Sequence, residues 1–427
     1  MISPTVTSSS LTVVIIGQGY VGLPLAQAAA RAGHRVVGLD VSAELVANLN
    51  GGKSHVDDIS NRELEEMLSF GYQATSSESA IAEADVVIIC VPTPLGVDGG
   101  PDLSAVVAAG EAIGRQSKEG VVVILESTTY PGTTEDVLLP LLEQGGKRHG
   151  SDLFVAFSPE RVNPGFPEHG IRNTPKLVGG LDPLATEKVV DFYRTFIREV
   201  VPLSGAKEAE TAKLLENTYR HVNIALVNEM ARFCHDLGVD IWEVIRGAGT
   251  KPFGFQSFTP GPGVGGHCIP IDPNYLSFQV KRTLGYQFRF VELAQEINNS
   301  MPRYVVDRLA NLLNDAGLSL NGSRVLLLGV TYKPDIADQR ESPAVPVAKI
   351  LQSRHARVEF HDFYVDNWHV DGDVLHSATN LIDAVEAADV VVLLQAHQQY
   401  DIEELVGRSK RFFDTRGVTR DADVVRL

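Results

Sequence analysis

The sequence has few cysteines: three occur among 427 residues, at positions 90, 234 and 268. Their number and spacing fit neither a disulfide framework nor a zinc site, since both need clustered or paired cysteines. We therefore expect no metal. So few thiols are typical of proteins that fold in a reducing compartment, and we expect a cytoplasmic protein.

The sequence also lacks an excess of positive charge and lacks long apolar runs. Thirty-seven Lys and Arg stand against 54 Asp and Glu, a net charge of −17. This balance argues against nucleic acid and anionic membranes as partners, although a local basic cluster can still bind a small anion. No apolar run reaches the length of a membrane span, and the polar residues 1–10 have no signal-peptide core.

A dinucleotide-binding pattern occupies residues 12–40, directly after the polar N-terminal residues. The apolar run TVVII at residues 12–16 predicts a buried parallel strand, GQGYVG follows at 17–22, and the alanine-rich stretch 23–32 predicts a helix. A second strand ends at Asp40, which we expect to accept hydrogen bonds from the adenosine ribose. Because an acid there repels a 2′-phosphate, the pattern favours NAD over NADP.

Later segments extend this α/β pattern and then repeat it. Apolar strands at 84–91 and 120–125 end in loops of small polar residues, where ligands of open sheets bind. A helical period runs from residue 206 to about 237, and strand patterns resume at 323–330, 357–362 and 388–394. In that second unit Lys333 follows the first strand, and a lysine there suits a phosphate as a point charge.

The fold class that we predict is α/β, with two Rossmann-like doubly wound parallel-sheet domains joined by a long central helix. Residues 1–205 form the expected NAD-binding domain, 206–317 a central helical domain with the cysteine loop, and 318–427 a second Rossmann-like domain. The long helix of the central domain is expected to be either a connecting spine or a surface that pairs with its counterpart in a second subunit.

A glycine-dense loop at residues 261–272, GPGVGGHCIPID, carries Cys268 and, four residues later, Asp272. Glycines let the backbone approach a ligand closely. A thiol presented there, beside a bound oxidant, can hold a carbonyl substrate covalently between two hydride transfers.

Three widely separated motifs together resemble the UDP-glucose/GDP-mannose dehydrogenase family over nearly the whole chain. The loop PFGF at 252–255, followed by PGPGVGGHCIP at 260–270, is most similar to the branch that oxidises UDP-N-acetylhexosamines. The resemblance implies two successive oxidations of the sugar C6 alcohol to a carboxylate, with two NAD consumed. It also implies an NAD domain, a UDP-sugar domain and a linking helix that forms the core of a homodimer or higher homo-oligomer.

The resemblance implies roles for six catalytic residues. Cys268 would trap the aldehyde as a thiohemiacetal and then carry a thioester. Lys213 would stabilise the alkoxide and oxyanion, and Asn217, one helical turn later, would donate to the same oxygen. Asp272 would activate water with the lysine, Glu160 would assist thioester hydrolysis, and Thr128 would position the water and contact the cofactor.

The remaining site residues are expected to bind cofactor or substrate. His267 is given no role. The cofactor set is Gly17, Gly19, Tyr20, Val21, Gly22, Asp40, Thr93, Thr128 and Arg340, with Arg340 reaching the NAD pyrophosphate. The substrate set is Arg161, Val162, Lys213, Asn217, Arg220, Gly265, Tyr332 and Lys333, with Lys333 a UDP-sugar contact.

Several substrates and two other functional classes remain open. Residues 252–255 favour UDP-N-acetylglucosamine, while UDP-N-acetylmannosamine differs only at C2. UDP-glucose is disfavoured because glucose-specific members carry a second glutamate where this chain has Pro164. A single-step hydroxyacid dehydrogenase would need neither Cys268 nor a second nucleotide-like domain. A non-catalytic NAD-binding protein would not need the reactive residues.

Overall fold

The computed structural model of this chain describes residues 10–56, 58–96, 100–162, 170–266, 269–421 and 424–427. The chain divides into two compact units, one of Met1–Glu216 with Phe278–Leu284 and the other of Asn217–Ser277 with Gly285–Leu427. Within the described ranges, no helix combines the length and apolarity that a membrane crossing requires.

The first unit is built on an eight-stranded sheet in the order β3-β2-β1-β4-β5-β6-β7-β8. All neighbouring pairs are parallel except β6 with β7, which is antiparallel. The elements are β1 (Thr12–Ile16), α1 (Gly22–Arg31), β2 (Arg35–Leu39), α2 (Ala43–Asn50), α3 (Asn61–Ser69), β3 (Gln73–Thr75), β4 (Val86–Ile89), α4 (Ser104–Gln116), β5 (Val121–Leu125), α5 (Leu139–Glu143), β6 (Leu153–Phe157), β7 (Lys176–Gly180), α6 (Pro183–Tyr193) and β8 (Val200–Pro202).

A long helix, α7 (Ala206–Asp236), begins in the first unit and continues in the second. It has no internal proline or glycine, and Gly238 follows it in the left-handed conformation (φ 68°) that commonly ends helices. The helices α8 (Ile241–Gly249), α9 (Asp272–Leu284) and α10 (Arg289–Asp315) come next along the chain.

The second unit contains a five-stranded parallel sheet in the order β10-β9-β13-β14-β15, and a separate hairpin of β11 with β12. Its apolar strands are buried, as expected for strands covered on both faces. The elements are β9 (Arg324–Leu328), α11 (Ala344–Ser353), β10 (Arg357–His361), β11 (Asn367–Val370), β12 (Asp373–His376), α12 (Leu381–Ala387), β13 (Val390–Leu393), α13 (Ile402–Arg408), β14 (Phe412–Asp414) and β15 (Val425–Arg426).

These sheets confirm the predicted α/β class with two doubly wound sheets and a long helix. In each sheet the first strand lies where the strand order reverses: β1 between β2 and β4, and β9 between β10 and β13. Ligands of open α/β sheets bind outside the carboxyl ends of strands at this point. The fold therefore places residues after β1 and after β9 where a nucleotide is expected.

Candidate active site

The turn after β1 contains three glycines, at positions 17, 19 and 22, whose surroundings differ. Gly17 has φ +90°, and a Cβ on it would lie 2.6 Å from the Cys90 carbonyl oxygen. A Cβ on Gly22 would lie 1.8 Å from the Gly17 carbonyl oxygen, whereas one on Gly19 would meet nothing within 4 Å. Gly17 and Gly22 thus allow the tight turn and the close approach of α1, while Gly19 leaves open space beside a helix N-terminus. This arrangement fits a dinucleotide pyrophosphate.

Asp40 follows β2 and is held by the same turn. Its Oδ2 accepts a hydrogen bond from the Gln18 N–H (2.9 Å), and its Oδ1 accepts one from the Ser42 N–H (3.0 Å). A carboxylate has about four lone-pair sites, so these two bonds orient Asp40 and leave it able to accept from ribose hydroxyls. The residues present therefore fit NAD.

Further cofactor candidates lie close to this edge of the first sheet. Tyr20 packs against the core, and Val21 is the residue before α1. Thr93 follows β4, and its hydroxyl donates to the Thr128 carbonyl oxygen (2.9 Å). The loop after β4 and the loop after β5 are thus tied together at the two threonines that the sequence singled out.

A buried glutamate that the sequence motifs did not indicate holds the continuation of this loop. Glu210 on α7 is 1% exposed. It accepts from the N–H groups of Gly132 (2.6 Å) and Thr134 (3.0 Å) and from the Thr134 hydroxyl (2.7 Å). Burial raises the pKa of Glu210, although these donors oppose the shift. The sequence signal that could have indicated Glu210 is its position three residues before Lys213 on the same predicted helix.

Lys213 is buried on α7 and is bound to the segment after β6. Its Nζ donates to the Glu160 carbonyl oxygen at 2.6 Å. The Glu160 carboxylate accepts from the Val162 N–H. Burial raises the pKa of Glu160, and the positive charge of Lys213 opposes that shift. A buried carboxyl group with a raised pKa is a candidate for proton transfer.

Arg161 is held by its own neighbours in the first unit. Its Nε and Nη2 contact the Glu216 carboxylate at 3.2 and 2.6 Å, and its Nη1 donates to the Pro175 carbonyl oxygen at 2.7 Å. This bidentate pair fixes the guanidinium. Val162 is half-buried beside it.

Asn217 and Asp272 form a second buried pair. The Asn217 Nδ2 donates to the Asp272 Oδ2 at 2.6 Å, and the two residues are 7% and 3% exposed. Asp272 begins α9, where the helix dipole favours a carboxylate. Lys213 lies four residues before Asn217 on α7, so both side chains share a face of that helix. Arg220 is exposed.

A buried amide network anchors the start of the glycine-dense loop. The Asn228 Oδ1 accepts from the Gly261 N–H at 2.9 Å, and its Nδ2 donates to the Asn298 Oδ1 at 2.9 Å. Asn228 was not singled out from the sequence because an asparagine inside a helix carries no local signal of a distant partner. His267 and Cys268 lie outside the described residues.

The end of the described loop packs on the segment after β9. A Cβ on Gly265 would lie 2.7 Å from the Tyr332 Cβ, and one on Gly266 would lie 2.9 Å from the Tyr332 ring. The Gly266 N–H donates to the Arg340 carbonyl oxygen (3.3 Å). These glycines are therefore needed for close packing against Tyr332.

Lys333 and Arg340 lie on the long loop between β9 and α11. The Lys333 carbonyl oxygen accepts a hydrogen bond from the Thr331 hydroxyl (2.9 Å), and Lys333 is half-buried. The Arg340 guanidinium contacts the Asp338 carboxylate through Nε (2.9 Å) and Nη2 (2.6 Å), and its side chain is 49% exposed. The expected contact of Arg340 with the pyrophosphate remains a prediction.

Models of three family domains match successive parts of the chain. The NAD binding domain of the UDP-glucose/GDP-mannose dehydrogenase family matches residues 11–197, the central domain matches 207–300, and the UDP binding domain matches 326–421.

Curated relatives and solved structures cover nearly the whole chain. A UDP-N-acetyl-D-mannosamine dehydrogenase of Pyrococcus horikoshii is 35% identical over 97% of both chains, and a UDP-N-acetyl-D-glucosamine 6-dehydrogenase of Pseudomonas aeruginosa is 37% identical over 83% of both. The structure of a UDP-D-ManNAc dehydrogenase from Pyrococcus horikoshii superposes with a TM-score of 0.88 at 34% identity, covering 97% of this chain and 98% of that one.

A structure of a UDP-glucose dehydrogenase from Pyrobaculum islandicum has a TM-score of 0.85 at 29% identity, covering 100% of this chain and 99% of that one. Together these matches confirm three predictions: the family, an NAD-dependent oxidoreductase, and NAD as cofactor.

Proposed function

The chain belongs to the UDP-glucose/GDP-mannose dehydrogenase family, and from this premise we propose that it oxidises the C6 alcohol of a UDP-N-acetylhexosamine twice, to the uronic acid. The observation that carries the proposal is the pair of buried contacts made from one face of α7. Lys213 binds the Glu160 segment at 2.6 Å, and Asn217 binds Asp272 at 2.6 Å. These contacts supply a lysine and a carboxyl group in the first unit and an amide and a carboxyl group in the second, and the two-step oxidation needs in addition the thiol of Cys268.

The first oxidation needs a group that stabilises negative charge on the sugar oxygen. Lys213 and Asn217 act as donors to that oxygen as its proton passes to water. When bound at residues 17–22, NAD would accept one hydride, and a second NAD, exchanged for the NADH formed, would accept the hydride of the second oxidation. The C6 alcohol thereby becomes an aldehyde.

The second oxidation proceeds through the thiol of Cys268. Its sulfur adds to the aldehyde carbon, and the carbonyl oxygen takes a proton to give a thiohemiacetal. Loss of a hydride from that carbon to a second NAD, and of the hydroxyl proton to water, leaves a thioester. Water, positioned by Thr128 and deprotonated with Asp272 or Glu160 as base, cleaves the thioester to the carboxylate and the free thiol.

The other proposed contacts place the substrate and cofactor around this chemistry. Tyr332 and Lys333 bind the UDP portion, Gly265 lets the cysteine loop approach the substrate, and Arg161, Val162 and Arg220 contact the sugar nucleotide. Arg340 contacts the pyrophosphate of NAD. Three functional segments, 1–205, 206–317 and 318–427, divide these tasks, and the free thiol that the reaction needs fits a cytoplasmic location.

The stoichiometry of the reaction tests the two-step mechanism. With UDP-N-acetylglucosamine and the full chain, we expect two NADH per sugar and formation of the acid. Cys268→Ala should abolish acid formation and leave NAD affinity nearly unchanged, while the matched variant Cys234→Ala, at a buried packing position, should retain both. One NADH per sugar, or wild-type turnover of Cys268→Ala, would remove the cysteine from the mechanism.

A panel of UDP-sugars tests the substrate. Residues 252–255 favour UDP-N-acetylglucosamine, and relatives named for the glucosamine and the mannosamine epimers match at 37% and 35% identity. We expect a kcat/KM at least tenfold higher for an N-acetylhexosamine than for UDP-glucose. A higher kcat/KM for UDP-glucose would contradict the proposal. The ratio of the kcat/KM values for UDP-N-acetylglucosamine and UDP-N-acetylmannosamine shows which configuration at C2 the enzyme prefers.

We also propose that the protein is a homodimer through α7. Leu215, Tyr219, Leu226 and Phe233 are spaced by four or seven residues, so they share one helix face, and they are 65%, 46%, 52% and 46% exposed. A second copy of the same face would cover these side chains. Light scattering should report a dimer that Leu226→Arg with Phe233→Glu converts to a monomer, whereas the exposed Glu403→Arg should leave it intact. A monomeric wild type at micromolar concentration would contradict the proposal.

A further inference from the structure

His397 and Asp362 form a buried pair at the carboxyl edge of the second sheet. Asp362 follows β10 and His397 lies after β13, and both side chains are 0% exposed. The His397 Nε2 lies 3.0 Å from the Asp362 Oδ2. That same oxygen accepts from the N–H of Val330, which follows β9, at 2.7 Å. The pair thus joins the ends of three neighbouring strands.

The hydrogen bonds of His397 define its tautomer. Its Nδ1 accepts from the Asp335 N–H at 2.9 Å, so that nitrogen carries no proton. The other ring nitrogen, Nε2, is then the protonated one and donates to Asp362. One neutral tautomer satisfies both bonds. The ring therefore connects a fixed carboxylate on one side with the loop after β9 on the other.

Asp335 needs this support because of its backbone conformation. Its φ is +63°, in the left-handed region that side-chain-bearing residues seldom adopt. The Asp335 N–H is bound by His397, and the Asp335 carboxylate is bound by the next residue: its Oδ1 accepts from the Gln398 N–H at 2.9 Å. Two bonds from one short segment thus hold Asp335 in a backbone conformation that is unfavourable by itself.

Lys333 lies between the two fixed points of this loop. Its carbonyl oxygen accepts from the Thr331 hydroxyl at 2.9 Å, and Asp335, two residues later, is bound by His397. We propose that His397 is a positioning residue that sets the place of Lys333 for the diphosphate of UDP. This inference rests on the proposed UDP contact of Lys333, and His397, whose side chain is fully buried, acts through the loop that carries that lysine.

Two substitutions separate the two bonds of the ring. In His397→Gln the side-chain end can still donate to Asp362, but nothing accepts from the Asp335 N–H. In His397→Asn an oxygen can take the place of Nδ1, and only the donor to Asp362 is lost. Because a buried N–H without an acceptor disfavours the native loop conformation, we expect about tenfold weaker UDP binding by the glutamine variant, or about 1.4 kcal/mol. The asparagine variant should remain within about threefold of wild type.

The experiment is a calorimetric titration of the full chain with UDP alone, and with NAD as a separate titrant. His376→Gln, an exposed histidine of the same unit, is the matched control. We expect His397→Gln to raise KM for the UDP-sugar about as much as it raises Kd for UDP, to keep kcat within about twofold, and to keep NAD affinity. UDP binding does not require oxidation of a sugar. The titration therefore tests the role of His397 even if the proposed two-step oxidation is wrong.

A double-mutant cycle with Lys333→Met tests whether His397 acts through the lysine. In that background His397→Gln should change UDP affinity less than twofold. Wild-type affinity of His397→Gln, equal losses in both His397 variants, an undiminished effect without Lys333, or parallel losses of UDP and NAD affinity would each overturn the inference. If Lys333→Met alone leaves UDP binding unchanged, it is the proposed UDP contact that fails.

Discussion

In the first sheet Gly17 follows β1 with φ +90°, and in the second Gly329 follows β9 with φ +73°. The N–H of Gly17 donates to the Leu39 carbonyl oxygen at 2.8 Å, and the N–H of Gly329 donates to the His361 carbonyl oxygen at 3.0 Å. One residue later in each unit, a backbone N–H donates to an aspartate that follows the neighbouring strand: Asp40 (2.9 Å) in the first and Asp362 (2.7 Å) in the second. The two units therefore share the same frame at the point where ligands bind.

The units differ in what surrounds the aspartate and in where the next helix begins. Asp40 is half-buried and bonded to backbone N–H groups, whereas Asp362 is buried and bonded to His397. The helix α1 begins at Gly22, close behind Gly17, but α11 begins only at Ala344. The first unit thus presents a helix N-terminus and an available acid, while the second presents a long loop with Lys333 and uses its acid internally. The same strand order can serve two kinds of nucleotide site because these side chains differ.

The largest effect should come from closing the space between β1 and α1. In Gly22→Ala the new methyl would lie 1.8 Å from a backbone oxygen of Gly17, so the helix must move. We expect a loss of about 3 kcal/mol or more in stability and loss of NAD binding. The matched variant Gly19→Ala meets nothing within 4 Å, so it should keep the melting temperature and lose NAD affinity alone. Equal melting temperatures of both variants would contradict this division of roles.

Smaller effects should come from removing the two aspartates. Removal of Asp362 should mainly lower stability, whereas removal of Asp40 should mainly weaken NAD binding. Asp362→Ala leaves buried donors of Val330 and His397 without an acceptor, and we expect it to lower stability by about 2–4 kcal/mol. Asp40→Ala should lower stability by about 1 kcal/mol or less, because Asp40 is only half-buried and one of its donors, the Ser42 N–H, belongs to an exposed residue. It should weaken NAD binding about tenfold. Urea unfolding and NAD titration check both. If Asp40→Ala is the more destabilising variant, the comparison between the two units is wrong.

The comparison also shows which parts of the fold are readable from sequence. The fingerprint from Gly17 to Asp40 is contiguous, and its predicted helix start at residue 23 differs by one residue from the observed start at Gly22. The sequence likewise predicts a strand ending in an acid at Asp362. It does not predict the role of that acid, because His397 is 35 residues away and reaches it only through the strand order of the sheet.

The candidate site follows the same rule. The shared face of Lys213 and Asn217 is predictable from helical spacing, because both positions belong to one element. Their partners were not predictable from spacing, since Glu160 and Asp272 are 53 and 55 residues distant and are brought near by packing. The sequence analysis did not anticipate the strands β7 and β8. The strand β8 has only three residues, and β7 begins with the buried Lys176, which pairs with Glu126 at 2.7 Å. A lysine at such a position does not resemble a core residue in sequence.

The smallest expected effect is an acid-dependent loss of stability that belongs to the second unit. Burial by itself would raise the pKa of Asp362, but hydrogen bonds from His397, Tyr364 and Val330 outweigh it, so its pKa lies below the ordinary value of 3.8. The unfolded chain therefore takes up this proton first as the pH falls. The stabilisation is present above about pH 4 and is lost as the pH drops through the lower folded pKa. Urea midpoints measured from pH 6 to pH 3 should show Asp362→Asn losing less stability than wild type below pH 4, and parallel curves over that window would show that Asp362 contributes no charge-dependent stability.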